Sequence, residues 1–225
     1  MLNFFKKKPK PVFFHSDLKP SLRIEKILIE YILPELNKHG FKYVKSEMCF
    51  KRTYGEFVNE IWFQKNKWNS GNEVCSFKPI LSIYSVKLPK YLNLSKEKKR
   101  SGFLGGSAEY IDGWSTTYYD GYYNLARDDN FKIIETLKEN LLKIGIPYFD
   151  YFKSYKELVD HFIINEKRYY MTPNLFNLCE MNKDKERAEN ILNWFIKFQE
   201  TTKKEFHQDT LESIENCKFK LKNWE

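Results

Sequence analysis

Between residues 17 and 39 the apolar residues Leu22, Ile24, Leu28, Tyr31, Ile32 and Leu36 recur at helical spacing. The pattern predicts one helix with one buried face. Asp17 is placed to cap it, Pro20 falls near its first turn, and Gly40 ends it. Pro34 lies inside the run and predicts a kink or a shifted end.

After Gly40 the period falls to two. Val44, Met48 and Phe50 alternate with Lys45, Glu47 and Lys51, which predicts a strand over 41–54. Phe57, Ile61 and Phe63 alternate with Glu56, Glu60 and Gln64 and predict a second strand, 56–66. Phe57, Ile61 and Phe63 should face the helix residues Leu28, Ile32 and Leu36, and Glu60 should face water. A third strand is expected at 74–87, carrying Phe77, Leu81 and Ile83; Pro79 inside it points to an edge or a bulge. Tyr54-Gly55 and Asn69-Ser70-Gly71-Asn72 read as hairpin turns, so the strands should run antiparallel.

Residues 88–113 read as a polar connection, and Trp114 to Tyr119 as a fourth strand. Asp128 or Asp129 then caps a helix reaching Ile144, closed by Gly145 and Pro147. Ser154 with Glu157 forms a capping box for the next helix. Helical spacing returns over 182–199 and 202–222. The expected fold class is α+β: a four-stranded antiparallel sheet flanked by helices, with a helical C-terminal extension. Its parts are a basic flexible arm (1–16), the α+β domain (17–170) and a helical extension packed on the same domain (171–225).

The order of several short motifs resembles the bacterial domain-of-unknown-function family 4304. They are Leu36-x-x-x-Gly40-Phe41-Lys42, Phe63-Gln64-Lys65, the Phe77 to Ile83 strand, and Arg100-Ser101-Gly102 ahead of Trp114. Gly145-Ile146-Pro147-Tyr148-Phe149, followed by Ser154-Tyr155-Lys156-Glu157-Leu158, continues the likeness, which covers residues 20–165. One departure is Ser115, where a second aromatic is expected after Trp114. The resemblance implies a helix-flanked antiparallel sheet and carries no activity with it.

Composition fits a chain with its own core. Of 225 residues, 42% are hydrophobic and 17% aromatic, enough to bury a core without disulfides or metal. Cys49, Cys75, Cys179 and Cys217 form no CxxC pair and read as reduced thiols of a cytoplasmic protein. No apolar run has the length of a membrane span, and the apolar residues at the start precede the lysines, the reverse of a signal peptide.

Residues 1–100 carry 21 basic and 9 acidic side chains, a net +12, whereas 101–130 sum to −4. Such a bias raises nucleic acid as a partner. Yet only 6 of the 38 basic residues are Arg, the residue that suits planar recognition of phosphates and bases. The expected partner is therefore a protein, with weak nucleic-acid binding by the basic half as an alternative.

Catalytic constellations are missing from the pattern. His15, His39, His161 and His207 are scattered, so no metal site and no cofactor are expected. Gly102-Phe103-Leu104-Gly105-Gly106-Ser107 lacks the Lys-Ser/Thr of a phosphate loop and reads as a flexible loop. The acids Asp112, Asp120, Asp128 and Asp129 are explained by caps and turns. What remains is an aromatic set with polar companions: Trp62, Gln64, Trp68, Arg100, Trp114, Tyr118, Tyr119 and Tyr122. Exposed Trp and Tyr suit a partner surface. The expectation is a non-catalytic protein-binding domain, immunity-type or accessory; the alternative is an enzyme with a cleft near residues 110–123.

Overall fold

Two prolines shape two helical segments in the same way. The first segment is α1 (Pro20–Ile27), a π turn (Leu28–Ile32) and α2 (Leu33–Asn37). Pro34 has no N–H to give, and the preceding Leu33 N–H reaches back to the Leu28 carbonyl, a five-residue step. Further on, α4 (Asn130–Asn140) runs into a π turn (Leu141–Gly145) and then α5 (Ile146–Tyr151). There the Ile146 N–H bonds to Leu141 O, one residue before Pro147. Neither proline stops its helix. The expected end at Gly145 and Pro147 is therefore a π turn that the helix passes through.

The computed structural model describes residues 10–70, 73–94, 102–116, 120–165, 171–202, 206 and 208–224. Its strands are β1 (Lys42–Val44), β2 (Cys49–Tyr54), β3 (Phe57–Lys65), β4 (Ser76–Tyr84), β5 (Gly102–Ser107) and β6 (Tyr123–Asn124). The sheet order is β1-β2-β3-β4-β5, with β6 antiparallel to β4. The fold class is α+β with an antiparallel sheet, and the sheet has six strands rather than four.

Four changes account for the difference: one expected strand divides, β5 and β6 are added, and the strand expected from Trp114 is not found among the described residues. The expected 41–54 strand is a hairpin: β1 and β2 pair Tyr43 with Phe50, around a 3₁₀ turn at Lys45–Glu47 and Met48 at φ +50°. The Gly102 to Ser107 run, read as a loop, is β5. The expected strand at 114–119 is not formed over 114–116, and 117–119 lie outside the described residues. The Ser115 backbone bonds to a side chain instead: its N–H donates to Asn140 Oδ1 (3.2 Å) and its carbonyl accepts from Asn140 Nδ2. Pro79 stands two residues past Phe77, the last partner of β6, in a strand with neighbours on both sides, so β4 is not an edge.

The chain forms two compact units that interleave in sequence; β2, β3 and β4 each pass from one to the other. Unit one comprises residues 1–52, 61–81 and 106–147. Its core holds Ile24, Leu28, Ile32, Leu36, Ile61, Ile133 and Leu137, all buried. Across its strands runs a line of rings in contact: Tyr43–Phe50 (5.6 Å), Phe50–Phe63 (5.4 Å), Phe63–Phe77 (5.8 Å) and Phe77–Tyr123 (5.8 Å). Both ends are tied by hydroxyls. Tyr43 donates to Glu25 Oε1 (2.7 Å), and Tyr123 donates to Ser115 O (3.2 Å).

Arg23 is 2% exposed in unit one and clamps three segments. Its guanidinium donates to Phe14 O (2.8 Å), Leu125 O (2.9 Å) and Asn130 Oδ1 (3.0 Å). Asn130 also accepts from Phe14 N and donates its own N–H to Val12 O. The arm is thus fastened at Val12 and Phe14, while residues 1–9 lie outside the described residues. Two details of the first helix differ from expectation. Leu22 is 54% exposed, and Asp17 lies in a turn ahead of Lys19, the residue at the cap position.

Unit two comprises 53–60, 82–105 and 148–225. It contains α3 (Leu88–Tyr91), α6 (Tyr155–Asn165), α7 (Thr172–Met181), α8 (Lys185–Thr202) and α9 (Gln208–Lys222). Residues 148–165 thus group with the helices after 171. α7 packs on α8 and α9 around Leu175, Phe176, Cys179, Ile191, Phe195, Ile214 and Cys217. Glu157 accepts from Ser154 N (2.8 Å) and Lys153 N (2.7 Å), the expected return arm of the capping box. Glu60, expected in water, is 7% exposed. Here both neighbours of Glu60, Asn59 and Ile61, are buried as well, so strict alternation breaks down. Among the described residues no helix is long and apolar enough to cross a membrane.

Candidate binding face

The ring line fixes which side of unit one's sheet is covered. Side chains alternate along a strand, so the neighbours of Phe50, Phe63, Phe77 and Tyr123 turn the other way. That second face carries Lys51 on β2, Trp62 and Gln64 on β3, Ser76 and Lys78 on β4, and Asn124 on β6. Trp62 is 38% exposed and Gln64 is exposed beside it.

Charge on this face is partly neutralised. Lys51 pairs with Glu47 (2.5 Å) and Lys78 with Glu109 (3.2 Å). The Lys78 ammonium also lies 5.1 Å from the centre of the Tyr122 ring, a cation–π contact that holds the ring in place. Glu109 presses against Gly121, where an added Cβ would stand 2.5 Å from the carboxylate carbon. Gly121 at φ +75° is therefore favoured by its backbone, and a Cβ there would have to displace the Glu109 carboxylate.

At the β6 end of the face lies a small pocket of about 210 Å³, bordered by Asn66, Ser76, Asp120, Tyr122, Asn124 and Arg127. Its walls are set by side-chain-to-backbone bonds. Asn124 Oδ1 accepts from Ala126 N (3.0 Å) and Cys75 N (3.4 Å). Asn66 Oδ1 accepts from Trp68 N (2.9 Å), and Asp120 Oδ1 accepts from Tyr122 N (3.3 Å).

The expected site residues are divided by these positions. Trp62, Gln64 and Tyr122 belong to the second face or its pocket. Trp68 stands in the following loop, 70% exposed, with the Lys67 ammonium 4.9 Å from its ring centre. Trp114 is half-buried and packs over Gly145, 3.5 Å from where a Cβ there would stand. Arg100, Tyr118 and Tyr119 lie outside the described residues. The neighbouring Tyr123 belongs to the core. Burial pushes its hydroxyl up to about 12, with the Asn140 hydrogen bond pulling the other way.

Sequence reasoning passed over Asn66, Ser76, Lys78, Asn124 and Arg127. One signal pointed to Arg127: it is the sole base among residues 101–130, which hold five acids. Among the described residues, the other arginines are engaged. Arg23 and Arg52 donate to backbone carbonyls, and Arg187 grips Asp160 and Asp184. Arg127 has no such partner among the described residues. Compared with known proteins, the chain matches no family model, no curated protein and no solved structure.

Proposed function

We propose that this chain is a non-catalytic, cytoplasmic protein-binding domain whose contact surface is the second face of unit one's sheet. One observation carries the reading: Trp62 stays 38% exposed in mid-strand, directly behind a continuous line of buried rings. An exposed indole on a rigid strand gives a partner a large apolar contact at little entropic cost. Gln64 beside it offers a donor and an acceptor. The net +12 of residues 1–100 favours a partner with an acidic surface. An immunity-type or accessory role is one version of this reading.

Site-specific cross-linking in the native host tests it. A photoreactive phenylalanine analogue replaces Trp62 in one variant and Phe131, 59% exposed on α4, in another. The expected result is one discrete protein adduct from position 62, competed away by unmodified chain and missing at position 131. Identical adducts from both positions, or none from position 62, would overturn the assignment of the face.

A further inference from the structure

The pocket at the β6 end has an uneven inventory of hydrogen-bonding groups. The side-chain carbonyls of Asn66 and Asn124 are consumed by backbone N–H groups, which leaves each residue its NH₂ as a donor. Arg127 adds a guanidinium with no partner of its own among the described residues. Ser76 adds a hydroxyl. Against these donors stands one carboxyl group, that of Asp120, with a single oxygen engaged by Tyr122 N. Asp120 and Arg127 border the same pocket of about 210 Å³ and form no ion pair with each other.

We infer that this pocket binds the paired head group of a small zwitterion, a free α-amino acid being the class that fits. The carboxylate of such a ligand takes the guanidinium of Arg127 and the amide donors, since a planar fork matches a carboxylate with two bonds. Its ammonium takes Asp120. A simple anion leaves Asp120 unanswered, and a simple cation leaves Arg127 unanswered. The pocket is smaller than the ~300–1,000 Å³ of drug-sized sites, which restricts it to metabolite-sized molecules. Val74 and the Tyr122 ring give apolar wall for a side chain, and the contact with Lys78 keeps that ring fixed. This inference is separate from the partner reading: the pocket can be filled whether or not Trp62 meets a protein.

Titration of the full chain with glycine, acetate and methylammonium tests it, followed by NMR of the Asn66 and Asn124 side-chain amides. Glycine should shift both amides and saturate in the millimolar range, with the two half-ligands at least ~10-fold weaker. Arg127→Ala and Asp120→Asn should each weaken glycine by ~10-fold or more, as loss of one partner of a charge pair does. Both side chains are exposed, so the variants should fold, and unchanged backbone spectra would confirm that they do. Acetate binding as tightly as glycine, indifference to Asp120→Asn, or no shift with any of the three would overturn the inference.

Discussion

The backbone at Gly55 lies so close to the Lys153 carbonyl that a Cβ on residue 55 would stand 1.9 Å from its oxygen. The approach is held by neighbours on both sides. Glu56 N donates to Lys153 O (2.9 Å), and Tyr155 N donates to Glu56 Oε2 (2.7 Å). The tip of the β2–β3 hairpin is thereby bolted to the start of α6 inside unit two.

Gly55→Ala should therefore be costly, and more so than Gly40→Ala. Both positions have positive φ, +57° and +82°, so each alanine carries a backbone penalty of ~1 kcal/mol. At Gly40 a Cβ meets nothing within 4 Å. At Gly55 it meets backbone that cannot rotate away, and at least ~2 kcal/mol more is expected. Urea unfolding of the two variants checks this. Equal losses would show that the hairpin tip can lift from α6 without penalty.

Ile61 and Glu60 are adjacent and both buried, at 0% and 7%. Ile61→Ala should cost ~2–5 kcal/mol through the cavity it leaves. Glu60→Ala was expected from the alternation to be nearly free. Its burial changes that expectation to a loss of ~1–3 kcal/mol, because groups placed to meet a carboxylate would be left unpaired. Denaturant midpoints for the two variants decide it. A loss under ~0.5 kcal/mol at Glu60, the range of ordinary surface changes, would mean that the carboxylate opens to water.

Arg23 holds its three segments through carbonyls, and burial lowers its pKa while the nearby Cys75 and Asp17 act against that shift. Arg23→Met keeps much of the stem volume but leaves the Phe14 carbonyl without its donor and the Leu125 carbonyl with Asn130 Nδ2 alone. A loss on the order of 3 kcal/mol is expected. Amide exchange should rise first at Phe14, whose N–H depends on Asn130.

Much of this architecture was legible because single residues announced it. Gly55 marked its hairpin, Asp129 its cap on Phe131 N, and Glu157 its return to Ser154. Other elements carried no such mark. The Lys45-Ser46-Glu47 turn has neither Gly nor Pro, and the left-handed residue is Met48, a type that rarely adopts that conformation. β5 was hidden by Gly102, Gly105 and Gly106, which weaken strand propensity and imitate a loop. The stretch from Trp114 imitated a strand through its aromatics, yet its backbone is answered by Asn140 from 25 residues away. In the binding face, Trp62 and Tyr122 were visible as residue types. The pocket beside them depends on Asn carbonyls already used by backbone, which no pattern in the sequence records.

Four buried thiols should be silent in the folded chain. Burial pushes Cys75 up to about 11 and Cys179 and Cys217 up to about 12, so the reactive thiolate is scarce. A thiol reagent at about pH 8, near the ordinary thiol value, should react slowly with native protein and with four groups after denaturation. Rapid labelling of one group without denaturant would show a thiol that reaches solvent.

Asp184 should make the stability of unit two sensitive to acid. It stands just ahead of α8, where its Oδ1 accepts from Arg187 N (3.1 Å). Its Oδ2 accepts from the Arg187 guanidinium (3.0 Å) and from the Tyr155 hydroxyl (3.0 Å). Burial raises its pKa, but these hydrogen bonds outweigh burial and hold it below the ordinary Asp value. A carboxyl with a lowered folded pKa stabilises fully above its unfolded value of about 3.9, and that stability is lost as pH falls through the folded value. Arg187 meanwhile keeps a two-pronged grip on Asp160, at 2.9 and 3.0 Å. Asp184→Asn should therefore cost ~1–2 kcal/mol near neutral pH, as the loss of a charged cap does. It should also flatten the decline of stability below about pH 4, because one proton fewer is taken up on acid unfolding. Urea midpoints of both proteins across that range provide the measurement. A parallel decline in the two would place the acid-sensitive group elsewhere, with the Asp160–Arg187 pair as the next to vary.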